Sequence, residues 1–206
     1  MGSIDCTFGA TLNGGVEVAG RQLLRCAIAA GLGTETQVHA LGDGAPWIAD
    51  QVAERFGTQG RYTVDLFHVC EDLAEAAKTC APQAPQPWLD DQKACLKDND
   101  SATVLARLQP ALEPPEVDDG DAPVRACVRY LSNRLDQLDY KGALQQGLPI
   151  GSGEIESAHR DVVQQRLKRP GAWLTADHAE AMLALRVNRA NGHWDAYWRE
   201  TIKQAA

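Results

Sequence analysis

Two short stretches carry residue types suited to chemistry on a charged substrate. In "LGDGAPWI", residues 41–48, Asp43 stands between two glycines, shortly before Pro46. A carboxylate on such a turn has no bulky neighbours and can reach a divalent cation. The same residues also suit a tight turn whose aspartate caps the next helix. In "GSGEIESAHRDVVQQRLKRPGAW", residues 151–173, two glutamates open a helical pattern. That pattern ends in Arg166, Lys168 and Arg169, with Arg160 earlier on the same helix. Such cations can contact a phosphate backbone. They can equally be a solvated helix end, where positive charge suits the helix dipole.

A helical wheel separates the two glutamates. With Ile155 at 0° and a step of about 100° per residue, Ala158, Val162, Val163 and Leu167 span an apolar arc from about −60° to about 120°. Glu156 falls inside the arc at about 100°, and Glu154 outside it at about −100°. A carboxylate facing the core side needs a partner, because burying it alone is costly. Glu156 is therefore the candidate ligand and Glu154 a surface residue. His159, a possible accessory group, and Arg166 share the arc, at about 40° and 20°, so the face is not purely for packing. Asp65 and His68 in "VDLFHVC" are possible accessory groups at a strand-to-helix junction, where His68 also suits a core or capping role. His178 falls on a surface helix. No phosphate-binding P-loop, dinucleotide glycine fingerprint, HExxH or GxSxG occurs.

The elements that must position these residues alternate at first. Residues 15–31 read as a helix with Gly31 and Gly33 at its stop. "TQVHALGDG" reads as a short buried strand ending near Leu41. A helix follows from Pro46, with Ile48, Val52 and Phe56 on one face. A strand runs from Tyr62 to about Leu66, continuing as a helix to about Cys80. Such alternation predicts an α/β layer with a parallel portion of sheet. After a linker at 82–87 the pattern is almost wholly helical. Helical spacing covers 88–112, and an acidic, proline-containing loop covers 113–123. Residues 124–146 follow as a helix with Val128, Leu131, Leu135, Leu138 and Leu144 as its apolar set. Two last helices cover about 153–169 and 176–203, with Trp194 and Trp198 anchoring the final one to the core.

Bulk properties narrow the class. Of 206 residues, 44% are hydrophobic and 23% charged, a globular balance. No apolar run approaches the roughly 20 residues of a membrane span. The N-terminus lacks the basic and apolar regions of a secretory signal. The net charge of −8 argues against a simple cationic DNA-coating protein. It hides an asymmetry: residues 90–121 hold nine acidic and three basic residues, whereas 125–171 hold eight basic and five acidic. The six cysteines form no CxxC pair and no zinc-finger spacing, which points to reduced, partly buried thiols in a cytoplasmic protein.

Taken in order, "GDGAPWI", "VDLFH", "IGSGEIESAHRDVVQQRLKRPGAWLTADHAEAMLALR" and "NGHWDAYW" resemble bacterial insertion-sequence transposases of the DDE class. The likeness is to the ISKra type, with more distant similarity to Mutator-like elements, and covers residues 7–200. The long "GSGxIES…QRLK" block is its most specific part. The resemblance implies a ribonuclease-H-like fold whose three carboxylates bind two Mg²⁺ or Mn²⁺ ions and act on DNA phosphodiesters. It assigns the second Asp of the triad to Asp43 and the Glu to Glu156, 113 positions later. It also implies that an all-helical insertion lies between them. The implied partners are transposon ends and target DNA, in a homo-oligomer when complete, with no membrane. Arg160, Arg166, Lys168 and Arg169 would then be DNA contacts.

One departure matters. The family's fold begins with three antiparallel strands and places its first Asp on the first of them. Here the first clear element is the helix at 15–31, and Asp5 is in the wrong place for that role. The expected architecture is therefore a truncated ribonuclease-H-like domain of the α/β class. A partial core would occupy 1–81, the helical insertion 82–147, and the helices carrying the Glu 148–206. The expected function is that of a C-terminal transposase fragment, inactive in strand transfer alone. The alternative is a non-catalytic DNA-binding or transposase-regulating fragment. An unpaired sheet edge and uncovered apolar helix faces would follow from missing strands.

Overall fold

The computed structural model describes residues 6–168, 170–171 and 173–205, without the side chains of 154–156 and 205. The chain forms α1 (Gly15–Ala29), β1 (Val38–Gly42), α2 (Pro46–Phe56), β2 (Gly60–Val64) and α3 (Leu66–Cys80). Then come α4 (Pro85–Lys97), α5 (Ser101–Leu108), α6 (Pro123–Ser132) and α7 (Tyr140–Gln145). The last elements are α8 (Gly153–Ala158), a π-helical segment (His159–Gln164), α9 (Gln165–Leu167), α10 (Ala176–Ala190) and α11 (Trp194–Ala205). The protein is thus helix-rich with a small parallel sheet of β1 and β2, a mixed α/β arrangement. Among the described residues no helix is long and apolar enough to cross a membrane.

Two units interleave along the chain. One comprises His39–Ala49 and Arg61–Ser152. The other has a first segment ending at Val38, a second at Asp50–Gly60, and a third beginning at Gly153.

In the His39–Ala49 and Arg61–Ser152 unit, α3 is the central helix. It packs on α4 and α6, and α5 closes against both of these. Its buried residues Leu66, Val69, Leu73, Ala76 and Ala77 recur at helical spacing. Leu96, Val104, Val124, Cys127 and Leu131 face them from the other helices. Burial pushes the Cys127 thiol up to about 12, so it is protonated and unreactive. The acidic loop is pinned rather than free. Glu113 accepts the backbone N–H of Val124 at 2.9 Å and of Arg125 at 2.8 Å, capping α6. Asp119 pairs with Arg125 and Arg129, each at 3.0 Å. Two cations of the positive stretch are therefore committed within the fold.

In the other unit, α1 meets the second half of α2. Gly20 is buried where a Cβ would overlap the Gln51 amide, and Glu17 pairs with Arg55 at 2.6 Å. Glu180 on α10 accepts the Leu12 N–H at 2.7 Å. Asn191 binds the Phe8 backbone through both its oxygen and its nitrogen, at 2.8 and 3.0 Å. Val162 of the π segment and Leu183 of α10 are buried, whereas Val16, Leu23 and Ile28 of α1 remain exposed.

Several expectations are corrected. The proposed linker at 82–87 is shorter, because Pro85 and Pro87 lie in the first turn of α4, where no N–H is needed. Residues 88–112 are not continuous: Asn99, at φ 61°, ends α4 in a left-handed turn, and Asp100 caps α5 by accepting the Thr103 N–H. Residues 124–146 also break after Ser132, so Leu135 and Leu144 are exposed rather than in the core. Residues 176–203 divide at Gly192, φ 73°. Trp198 is exposed and packs edge-on against Trp194 and Tyr197 instead of anchoring its helix to the core. The β1 residues are half-buried, not buried.

The two readings of the helical region differ measurably. Leu73→Ala should cost about 2–5 kcal/mol in urea unfolding, the range for truncating a core leucine. Leu144→Ala should stay within about 0.5 kcal/mol. A comparable loss from Leu144→Ala would restore the continuous helix at 124–146.

Candidate functional site

Asp43 directly follows β1, and its position is set at the peptide level. The Asp43 carbonyl accepts the Tyr130 hydroxyl at 2.8 Å. The Gly44 N–H donates to the Tyr62 oxygen at 2.9 Å, and the Gly44 carbonyl accepts Arg134 Nε at 2.8 Å. Gly44 has φ 85°, and a Cβ there would overlap the Tyr130 hydroxyl and crowd Arg134. Only glycine fits both demands. Burial pushes the Tyr130 phenol up to about 12 and also raises that of Tyr62, so both stay protonated near neutral pH.

The Asp43 side chain points to a different use. It is exposed, and Oδ1 accepts the Ala45 N–H at 2.9 Å, the turn expected just before α2. Among the described residues Oδ2 accepts no hydrogen bond. A carboxylate with lone pairs to spare on a braced turn fits one hard-oxygen ligand position for Mg²⁺ or Mn²⁺. Turn former and ligand are therefore compatible roles. Tyr130 and Arg134 lie 87 and 90 residues from the groups they hold, and no sequence signal marks them.

Asp65 is placed very differently. It is fully buried at the N-cap of α3. Oδ1 accepts the Phe67 N–H at 2.7 Å, and Oδ2 accepts the Ser152 N–H at 2.9 Å as well as the Ser152 hydroxyl. Its own N–H donates to Gly42 at 2.7 Å. This carboxylate is a clasp between the end of β1, the start of α3 and the residue before α8. His68, one turn into α3, is partly exposed and lies 3.2 Å from Glu71. Asp72 is half-buried on the same helix. Burial, then Glu71, raises its pKa, against the lowering effects of Arg134 and His68.

Glu156 lies on α8, but its side chain is outside the described residues, as is that of Glu154. Arg169 is also outside them. Beyond Ala158 the helix widens into the π segment, so the wheel's constant step no longer holds. Val162 stays buried, but His159 and Arg166, expected in the apolar arc, are exposed. Arg186 of α10 donates to the carbonyls of Asp161 and Val162, groups whose helical bonding the wider turn alters. Arg160, Arg166 and Lys168 are exposed; Arg160 has only a 3.8 Å approach to Asp161. His178 is exposed as expected. Among the described residues no group of three or more His, Cys, Asp or Glu is arranged to hold a metal ion.

Two substitutions test this geometry. Gly44→Ala should destabilise by about 1–3 kcal/mol, from the left-handed φ and the overlap with Tyr130. A neutral result in urea unfolding would show that the turn is not braced. Asp72 has its pKa raised in the folded state, so its ionisation lowers stability as pH rises through that value. Asp72→Asn should therefore stabilise the fold at neutral pH, and the gain should vanish below about pH 4, where both states hold the proton. Thermal melts from pH 3 to 8 would show a pH-independent difference if burial at Asp72 were unimportant.

No match was found among curated proteins or among solved structures. Residues 33–202, which include the Asp43 turn, Asp65 and the α8 helix, match one protein family. With that match spanning most of its length, the chain belongs to the uncharacterised protein family UPF0236.

Proposed function

We propose that the chain acts in DNA transposition as part of a DDE-class transposase with a ribonuclease-H-like catalytic fold. Asp43 and Glu156 would be metal ligands, and Arg160, Arg166, Lys168 and Arg169 would lie along the phosphate backbone. The observation that carries the reading is Asp43. Its exposed carboxylate sits on a turn braced through the backbone, at the carboxyl end of a parallel strand. Ligands of open α/β sheets gather at that end of the strands. The order of motifs along the chain adds to it.

Two divalent ions, when bound, would activate a water or a 3′-hydroxyl and stabilise the leaving oxygen of a phosphodiester. The work of the chain itself is to hold an anionic oxygen at a fixed place and to neutralise phosphates nearby. Three of the four proposed cations are exposed in the structure, which suits phosphate contact. Those cations also favour a second reading, a non-catalytic DNA-binding or transposase-regulating fragment.

Titration of the 206-residue chain with Mn²⁺, and with duplex DNA across a salt series, separates the two. Binding of Mn²⁺ that is lost in Asp43→Ala and in Glu156→Ala is the expected result. Removing the four cations should reduce the slope of log affinity against log salt by about one for each phosphate no longer neutralised. Mn²⁺ binding indifferent to both carboxylates would sink the catalytic reading. Salt-dependent DNA binding without metal dependence would establish the second.

A further inference from the structure

We infer that Tyr130 and Arg134 are positioning residues for Asp43. They form a latch from the helical region that fixes where the Asp43 carboxylate is presented. The inference rests on Asp43 being a metal ligand, as proposed above.

The latch is built from two peptides and two side chains. Tyr130, on α6, donates its hydroxyl to the Asp43 carbonyl at 2.8 Å. Arg134, just past the end of α6, donates Nε to the next carbonyl, that of Gly44, also at 2.8 Å. The pair is internally stiff: the Arg134 guanidinium lies 3.9 Å from the centre of the Tyr130 ring, and its Nη1 donates to the Tyr130 carbonyl at 3.0 Å. At the same turn, Tyr62 of β2 accepts the Gly44 N–H. Successive peptide groups are thus held from two elements, one of the sheet and one of the helical region. None of these three residues bonds the Asp43 carboxylate, so they can set its direction without competing for its lone pairs. A ligand fixed in advance binds a cation more tightly than one on a mobile turn, because less conformational freedom is lost on binding.

The arrangement gives the helical region a role in the chemistry. Residues 85–145 already pack on α3 through α4 and α6. Through α6 they reach the one turn on which the metal reading depends. Gly44 shows how close the approach is, since no side chain could be accommodated there under Tyr130.

Tyr130→Phe removes the hydroxyl and keeps the ring beneath Arg134. Arg134→Gln removes the stacked cation and serves as the second variant. Each would be compared with the wild-type chain by hydrogen exchange at Gly44 and Ala45, Mn²⁺ affinity, the Mn²⁺ electron paramagnetic resonance spectrum, and melting temperature. The expected result is faster exchange at Gly44 and Ala45 with Mn²⁺ affinity weakened about three- to tenfold, the scale of one missing hydrogen bond. The resonance line shape should change and the melting temperature should stay close to wild type. Unchanged exchange and affinity in both variants would overturn the latch while leaving Asp43 as a ligand. Faster exchange with wild-type affinity and spectrum would reduce the interactions to ordinary packing and overturn the positioning role. Mn²⁺ binding that survives Asp43→Ala would instead overturn the metal reading, and the positioning role with it.

Discussion

A buried carboxylate has to be satisfied by hydrogen bonds, and Asp65 meets that constraint within the His39–Ala49 and Arg61–Ser152 unit. Its two oxygens take the N-terminal amide of α3 and both donors of Ser152. Its N–H holds Gly42, the last residue of β1. One residue therefore fixes three chain segments far apart in sequence. The Asp43 turn begins one residue beyond Gly42, and α8 begins one residue beyond Ser152. Both stretches with chemical potential therefore start next to this clasp along the chain.

The alternation of helix and strand over residues 15–80 was legible because each element carries a full set of signals. Glycines stop α1, Pro46 starts α2, and Asp65 caps α3. The helical region was less legible because its breaks are single residues. Asn99 between two aspartates and Asn191 before Gly192 are turn signals that apolar periodicity overrode. The break after Ser132 is marked in the same way by Asn133, the cap of α6, but Leu135 and Leu144 keep apolar spacing while facing solvent. The π segment had no sequence signal at all, since its altered carbonyls are met by Arg186, about two dozen residues on.

The candidate site divides in the same way. Asp43 was readable because a strand, two glycines and a proline surround it. What holds it was not, because Tyr130 and Arg134 reach the turn by tertiary packing alone. Asp65 was readable as polar and well placed. Its use as a clasp depends on Ser152, 87 residues away along the chain. The positive stretch at 125–171 is similarly refined: Arg125 and Arg129 answer the acidic loop, and Arg160, Arg166 and Lys168 remain facing solvent.

The interleaving of the two units has a consequence for synthesis. The chain passes from one unit to the other after Val38, Ala49, Gly60 and Ser152. Every segment of the helical unit has left the ribosome once Ser152 has emerged. The other unit lacks Val162, Leu183 and the Asn191 clasp on Phe8 until its third segment follows. At about 5–20 residues per second, Phe8 and Leu12 wait several seconds for Asn191 and Glu180, so the short stretch before α1 is docked last.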